Sequence, residues 1–406
     1  MNSDFFKIEK KGPGLSRAGK ISTAHGDILT PAFIPVGTKA TVKSLTPKEI
    51  KEDLSAQAVL ANTYHLYLEP GDKIVRDFGG LGEFMGYSGP TFTDSGGFQA
   101  FSLGVAFGQK ISKIAKIEDE SNTDPETERE APLAKIDEEG VNFKSYKDGS
   151  AHRFTPEISM DIQWNLGADM FFAFDECTSP AADYDYQKSA MDRTHRWALR
   201  SLNRVNELRK DSPGVPKEYP RFLFAVVQGG RHQDLREESA KTLGEMNFDG
   251  YGIGGSFDKE DIGSAVGWVN KILPEEKPRH LLGIGEPLDV LDAILVGCDT
   301  FDCVSPTRKA RNGRLYTRRG EINILNAEYK ESHDRVDETC DCYVCKNFTR
   351  AYLAHLFRSK EILASTLASL HNLRFTIRLV EEAREAILND NLEQFISDFK
   401  RDFSKN

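Results

Sequence analysis

A (β/α)8 barrel carrying a C-terminal zinc-binding subdomain is the fold class this sequence predicts, and three observations predict it. Eight short apolar runs, at residues 32–36, 57–61, 91–93, 170–174, 222–227, 250–253, 280–284 and 300–304, are each closed by glycine or a small polar residue. Most are too short for helices and too uniformly apolar for half-exposed strands, which is how parallel strands covered on both faces read. Segments with helical spacing lie between most of them, among them 183–210, 234–246 and 259–273, so strand and helix alternate as a barrel requires. Beyond the last run, Cys340, Cys342 and Cys345 crowd into six residues.

Composition agrees. With 406 residues and 39% hydrophobic content the chain can bury a large core. No stretch approaches the roughly 20 apolar residues that span a bilayer, and the N-terminal residues lack the apolar centre of a secretory signal. A soluble cytoplasmic protein with no membrane partner is the expectation. Six cysteines are few for a secreted disulfide scaffold of this size, and the clustering of three of them favours metal over disulfides. Cys177, Cys298 and Cys303 read as small buried residues.

Barrel active sites collect at the C-terminal ends of strands, so the residues that close each run carry the functional argument. Asn62 and Thr63 follow the second run, and Asp94, Ser95, Gly96, Gly97, Phe98 and Gln99 follow the third. The fourth is followed by Asp175, Glu176 and Cys177, the fifth by Gln228, Gly229 and Gly230, and the sixth by Gly254 and Gly255. Gly285, Glu286 and Pro287 follow the seventh, and Asp302 lies within the eighth. Singly, each Asp or Gly is an ordinary turn residue; together they make a site rich in acceptors and exposed backbone N–H groups. Such a site suits a flat, hydrogen-bonding heterocycle. Guanine fits, because Asp accepts from its N1–H and amine, and Gly lets a backbone N–H approach O6.

The reaction class follows by elimination and by charge. No Lys follows a glycine-rich Walker pattern and no His-x-His pair follows the first run, so ATP-driven and metal-hydrolytic chemistry lack their ligands. Two Asp residues remain for attack and proton transfer at a glycosidic carbon, the logic of a retaining glycosyl transfer. The net charge is −10, yet Arg308, Lys309, Arg311, Arg314, Arg318 and Arg319 follow Asp302 with no acid among them. A positive island in an acidic chain suits a phosphate backbone.

The three cysteines need a fourth ligand for a closed tetrahedral site, and His333, His355 and His371 compete. Residues 347–357 read as a helix, with a break at 358–360 before a second helix from about Glu361. About ten residues out and ten back, at ~1.5 Å each, return the chain to the cysteines near His371 and leave His355 at the far end. One structural zinc on Cys340, Cys342, Cys345 and His371 is the expectation.

The motifs TDSGGFQ (93–99), FDECT (174–178), VVQGG (226–230), GIGGS (252–256), FDCVSPTRKARNG (301–313), CDCYVC (340–345) and HNL (371–373) closely resemble the bacterial queuine/guanine tRNA-ribosyltransferases, the tRNA-guanine transglycosylases. Their order and spacing match from about Gly19 to Phe399. The resemblance implies a zinc-containing, homodimeric barrel enzyme that exchanges the wobble guanine of GUN-anticodon tRNAs for a 7-deazaguanine, without ATP. It makes Asp302 the nucleophile on C1′ and Asp94 the proton acceptor that also contacts the base. Ser95, Gly96, Gly97, Phe98, Asp175, Gln228 and Gly255 would bind the base, with Phe98 stacked on its face. Gly283, Ile284, Gly285, Glu286, Pro287, Leu288 and Asp289, with Thr307, Arg308, Lys309, Ala310 and Arg311, would grip the tRNA.

Two departures from the family pattern bear on substrate and organisation. After Gly255 the familiar Leu-Ala-Val-Gly-Glu is replaced by Ser256, Phe257, Asp258 and Lys259 with Glu260 retained, a polar and charged wall where the base carries its substituent. Cys177 is of the bacterial type and favours 7-aminomethyl-7-deazaguanine over queuine. An insertion at about 105–138 includes an acidic stretch, 118–132, without a hydrophobic face, expected to be a mobile loop. The expected domains are a catalytic barrel, 1–320, and a zinc-binding helical subdomain, 321–406. A queuine-salvaging transglycosylase is the alternative within the family, and two other classes compete. One is a non-catalytic tRNA-binding partner subunit, which would be expected to lack the carboxylates Asp94, Asp175 and Asp302 that are present here. The other is a glycosylase or transglycosylase acting on DNA, which would share the pocket but need a groove for a different backbone.

Overall fold

Parallel strands ring the centre of the computed structural model, which describes residues 5–100, 134–211, 220–255 and 261–404. They are β1 (Ala32–Pro35), β2 (Val59–Ala61), β3 (Thr91–Thr93), β4 (Met170–Phe172), β5 (Phe222–Val227), β6 (Gly250–Ile253), β7 (Arg279–Leu281) and β8 (Thr300–Cys303). In the sheet they run β1-β8-β7-β6-β5-β4-β3-β2, so sequence neighbours lie side by side and the last strand pairs with the first. The pairings β4–β5, β5–β6, β7–β8 and β8–β1 are parallel. A parallel bridge between Val36 and Leu60 joins the two ends, and the Gly37 N–H donates to the Leu60 carbonyl at 2.7 Å. This is the (β/α)8 barrel expected from the alternating runs. All six residues of β5 and all four of β6 and of β8 are buried, as strands covered on both faces must be.

The expected runs overshoot several strands because their last residues leave the sheet. Residues 173–174, 282–284 and 304 lie beyond β4, β7 and β8, and such residues build the loops that hold the site. The expected helices appear as Tyr184–Asp211, Gln233–Gly244 and Ile262–Asn270. One expectation is corrected. The helix expected at 347–357 begins only at Arg350 and runs Arg350–Arg358, because Asn347 ends a short preceding helix, Tyr343–Asn347, and Thr349 leaves the helical backbone, its hydroxyl capping the later helix by accepting from the Tyr352 N–H at 3.3 Å. The insertion at 105–138 lies almost wholly outside the described residues.

Two compact units make up the chain, Met1–Ala61 with Gly82–Phe92 and His280–Asn406, and Asn62–Leu81 with Thr93–Arg279. The first holds an antiparallel sheet of Phe6–Lys11, Arg17–Thr23 and Gly26–Thr30, and a hairpin of Arg314–Thr317 and Gly320–Asn323. Its long helix Ile362–Leu388 is buried over most of its circumference, as a helix apolar on several faces must be. The second holds an antiparallel sheet of Ala134–Ile136, Val141–Lys144 and Ala151–Phe154. It also holds the helix Pro156–Leu166, started by the Thr155 cap with Pro156 in its first turn and stopped by Gly167 at φ 72°.

Candidate active site and metal centre

In the second unit, the residues after β3, β4 and β5 meet. Asp175 is 8% exposed and accepts from the Ser95 hydroxyl at 2.6 Å and from the Gln228 amide at 2.7 Å. Gly97 donates its N–H to Ser95 Oγ at 3.2 Å. Because the Gln228 Nε2 must donate to a carboxylate, its Oε1 is fixed as the acceptor end of the amide. That Oε1 is buried and has no hydrogen-bond partner among the described residues. A buried amide oxygen left without a donor costs about 1–3 kcal/mol, a cost that a bound amine would remove. Glycine is needed at two places here. A Cβ on Gly97 would sit 2.6 Å from the Asp175 carbonyl oxygen, and one on Gly255, at φ +94°, would sit 2.7 Å from the Arg236 guanidinium and 2.9 Å from Gln228 Oε1.

Asp94 is held separately within the same unit. Its carboxylate accepts from the Asn62 side-chain amide, the Thr63 N–H at 2.9 Å and the Gly96 N–H at 3.2 Å. Asn62 also caps the helix Thr63–Leu68 by accepting from the His65 N–H at 3.1 Å. One side chain thus starts a helix and aims a carboxylate. Phe98 is half-buried, and Cys177 is 5% exposed. Residues 256–260, which include the altered wall, lie outside the described residues. Arg236, absent from the sequence reading, is wholly buried and donates to the Gly230 carbonyl at 2.8 Å and the Gly254 carbonyl at 2.9 Å, tying together the loops after β5 and β6. A lone Arg on a helix gives no signal of that kind.

In the first unit, Asp302 lies on β8 opposite Ile34 of β1. Its Oδ1 accepts from the Gly283 N–H at 2.8 Å and faces His280 Nε2 at 3.1 Å. Burial pushes the neighbouring Cys303 thiol up to about 12, which keeps it a neutral packing residue. The helix Ser305–Arg311 carries Arg308, Lys309 and Arg311 of the basic island, and its side chains divide. Thr307 and Ala310 are buried, Arg308 is exposed, and Arg311 is half-buried with Nη1 unpartnered among the described residues. Lys309 is spent internally, on Glu286 at 2.7 Å and on Glu321. Burial works against its ammonium, but Glu286 and Glu321 outweigh it and raise its pKa above the ordinary lysine value. Arg318 lies 4.6 Å over the Phe399 ring. Of the 283–289 segment, Gly285 and Pro287 are buried, while Gly283, Ile284, Glu286, Leu288 and Asp289 are half-buried.

The cysteines converge on one histidine. One ligand atom each from Cys340, Cys342, Cys345 and His371 lie within 4.8 Å of one another, all four residues buried. His371 Nδ1 is 3.4 Å from the sulfurs of Cys342 and Cys345 and 3.9 Å from that of Cys340. Its Nε2 donates to the Tyr316 carbonyl at 2.6 Å, which fixes the tautomer that presents Nδ1 to a metal. Three thiolates and an imidazole with no open position are a donor set for a closed tetrahedral centre. Asn372, named only as part of a motif in the sequence, is buried and makes three hydrogen bonds. It accepts from the Tyr316 N–H at 3.0 Å and donates to the carbonyls of Pro306 at 3.1 Å and Arg314 at 3.0 Å.

Carboxylates at the ends of barrel strands and a buried Cys3His cluster define a (β/α)8-barrel enzyme with a C-terminal metal-binding cluster. A family model described as queuine tRNA-ribosyltransferase matches residues 13–405. Proteins named queuine tRNA-ribosyltransferase are similar over nearly the whole chain. That of Herpetosiphon aurantiacus is 46% identical, covering 98% of this chain and 92% of the relative. Those of Caldanaerobacter subterraneus and Desulforamulus reducens are each 44% identical over 98% of this chain, covering 97% and 98% of the relatives. The chain belongs to the queuine tRNA-ribosyltransferase family and is a pentosyltransferase. Among the described residues no helix is long and apolar enough to cross a membrane.

Proposed function

We propose that this enzyme exchanges the wobble guanine of GUN-anticodon tRNAs for a 7-deazaguanine in queuosine biosynthesis, through a covalent ribosyl ester on Asp302. The observation that carries the reading is the buried Ser95–Asp175–Gln228 array with an amide acceptor awaiting a donor. It matches a guanine-like edge, on which an exocyclic amine sits beside a ring N–H. Asp175, Gln228, Gly255 and the 95–98 loop hold the base, Phe98 stacks on it, and Asp94 takes the ring proton of the incoming base. Zinc occupies the Cys3His centre as a structural ion, the active form is a homodimer, and the site of action is the cytoplasm. The catalytic barrel spans 1–320 and the zinc-binding subdomain 321–406. Incubation with labelled guanine, an unmodified GUN tRNA and deazaguanines, followed by nucleoside analysis, tests the reaction; no base exchange with any of them would refute it.

The incoming base is 7-aminomethyl-7-deazaguanine. Cys177 supports this choice, and Glu260 retains a carboxylate for a cationic amine. In competition for one tRNA, the aminomethyl base should be incorporated preferentially. A lower KM and higher incorporation for queuine would recast the enzyme as a salvage transglycosylase.

Arg308 and Arg311 grip phosphate in this reading. Replacing both with Ala is expected to raise the KM for tRNA and to flatten the salt dependence of binding by about 1.4 in log–log slope, two contacts at ~0.7 each for a single strand. The KM for free base should stay unchanged. A normal salt slope with weakened base binding would move these arginines into the pocket.

A further inference from the structure

We propose that His280 is a positioning residue that tunes Asp302 as a leaving group, so that the covalent intermediate does not stall. The inference rests on the reading of Asp302 as nucleophile. His280 is wholly buried on β7, and Phe92 of β3 stacks on its ring at 5.6 Å between centroids and 29° between planes. Its Nε2 lies 3.1 Å from Asp302 Oδ1, and its Nδ1 lies 2.9 Å from the Thr300 hydroxyl. An ionised Asp302 can only accept, so Nε2 carries the proton. In the neutral ring Nδ1 then accepts from Thr300, and that bond holds the tautomer. The Gly283 N–H reaches the same oxygen at 2.8 Å.

Two donors on Oδ1 give the two carboxylate oxygens different tasks. Oδ1 is the anchored oxygen, and Oδ2 attacks C1′. As the Oδ2–C1′ bond forms, the C1′–N9 bond breaks and its electron pair leaves on guanine N9, which takes a proton from water. Oδ1 becomes the carbonyl oxygen of a neutral ester, a weaker acceptor than a carboxylate. In the second half the incoming base gives its N9 proton to Asp94, which returns it to solvent. The N9 pair attacks C1′, and the Oδ2–C1′ pair returns to Asp302. The bonds from His280 and Gly283 are strongest when Asp302 is a full anion. They therefore favour the free carboxylate over the ester, at some cost to its nucleophilicity. Removing one donor should make Asp302 a better nucleophile and a poorer leaving group.

The test is the partition between adduct and free enzyme. Full-length protein is incubated with tRNA, quenched in denaturant, and the covalent enzyme–RNA band is quantified with and without added base. His280→Phe keeps ring shape and removes the donor. Its adduct should accumulate, and on adding base the adduct should break down roughly ten- to hundredfold more slowly, the worth of one charge-assisted hydrogen bond. His280→Gln, which keeps an amide donor, should restore much of the breakdown rate. Thr300→Val releases the tautomer with little change of volume and should shift the partition in the same direction; it carries the test if His280→Phe does not fold. A purely structural role would lower activity and melting temperature without enriching adduct. Unchanged or reduced adduct in folded variants, with unchanged breakdown, would overturn the proposal. An adduct that survives Asp302→Asn, or none in the parent, would instead overturn the reading of Asp302 as nucleophile, and this inference with it.

Discussion

Asp302→Asn is expected to lower base exchange by roughly 10⁴-fold or more, the scale on which loss of a covalent nucleophile acts, while tRNA binding survives. The amide fills the same volume on β8, and its carbonyl can still accept from the Gly283 N–H that holds Oδ1 at 2.8 Å. Local structure is therefore retained, but an amide oxygen forms no stable ester at C1′. Denaturing gels should reveal a slow-migrating enzyme–RNA species for the parent enzyme and none for the variant. Filter binding should give similar tRNA affinities, because the exposed Arg308 and half-buried Arg311 are untouched. Turnover at the parent rate would remove Asp302 from the mechanism.

His371→Ala is expected to cost the protein its metal and to unfold its C-terminal helices. Structural zinc centres of this type contribute about 10–16 kcal/mol in small domains, comparable to or larger than the roughly 5–15 kcal/mol that holds a whole domain folded. Elemental analysis should fall from one zinc per chain to near zero, and a chelator should lower the melting temperature of the parent but not of the variant. His355→Ala is the control. His355 is exposed and its nearest polar partner is the Ser359 hydroxyl at 3.5 Å, so its loss should leave metal content at one. Loss of metal in the His355 variant alone would contradict the convergence of the cysteines on His371. Weakened tRNA binding should accompany metal loss, because Tyr316, whose carbonyl His371 holds, lies in the hairpin that follows the basic helix.

Where packing is uniform, the sequence was easy to read. Residues 222–227 are six apolar side chains in a row, and only a strand covered on both faces uses such a run. Where a strand alternates apolar and charged residues, as in Phe6–Lys11 with the sequence FKIEKK, one face meets solvent and no barrel run marks it. The metal ligands were legible because helix geometry limits how far a chain travels before returning. His280 was not: one polar residue within an apolar run looks like a satisfied core histidine, and its partner Asp302 lies 22 residues away on the next strand. Arg236 and Asn372 escaped for the same reason. Both act by bonding backbone carbonyls, whose positions depend on tertiary structure.

His371 and Asn372 are consecutive on the helix Ile362–Leu388, so one faces the sulfurs while the next grips the carbonyls of Pro306 and Arg314. Successive helical residues differ in direction by about 100°, and only one rotational setting of this helix satisfies both. Some 20 Å further along, at ~1.5 Å per residue, Arg384 donates to the carbonyls of Gly19 at 3.1 Å and Thr30 at 2.6 Å. A metal held by His371 and the three cysteines would therefore act as an indexing pin. It would set the angle of a shaft whose middle turns seat the helix bearing Arg308 and Arg311 and whose C-terminal turns are keyed to the N-terminal sheet.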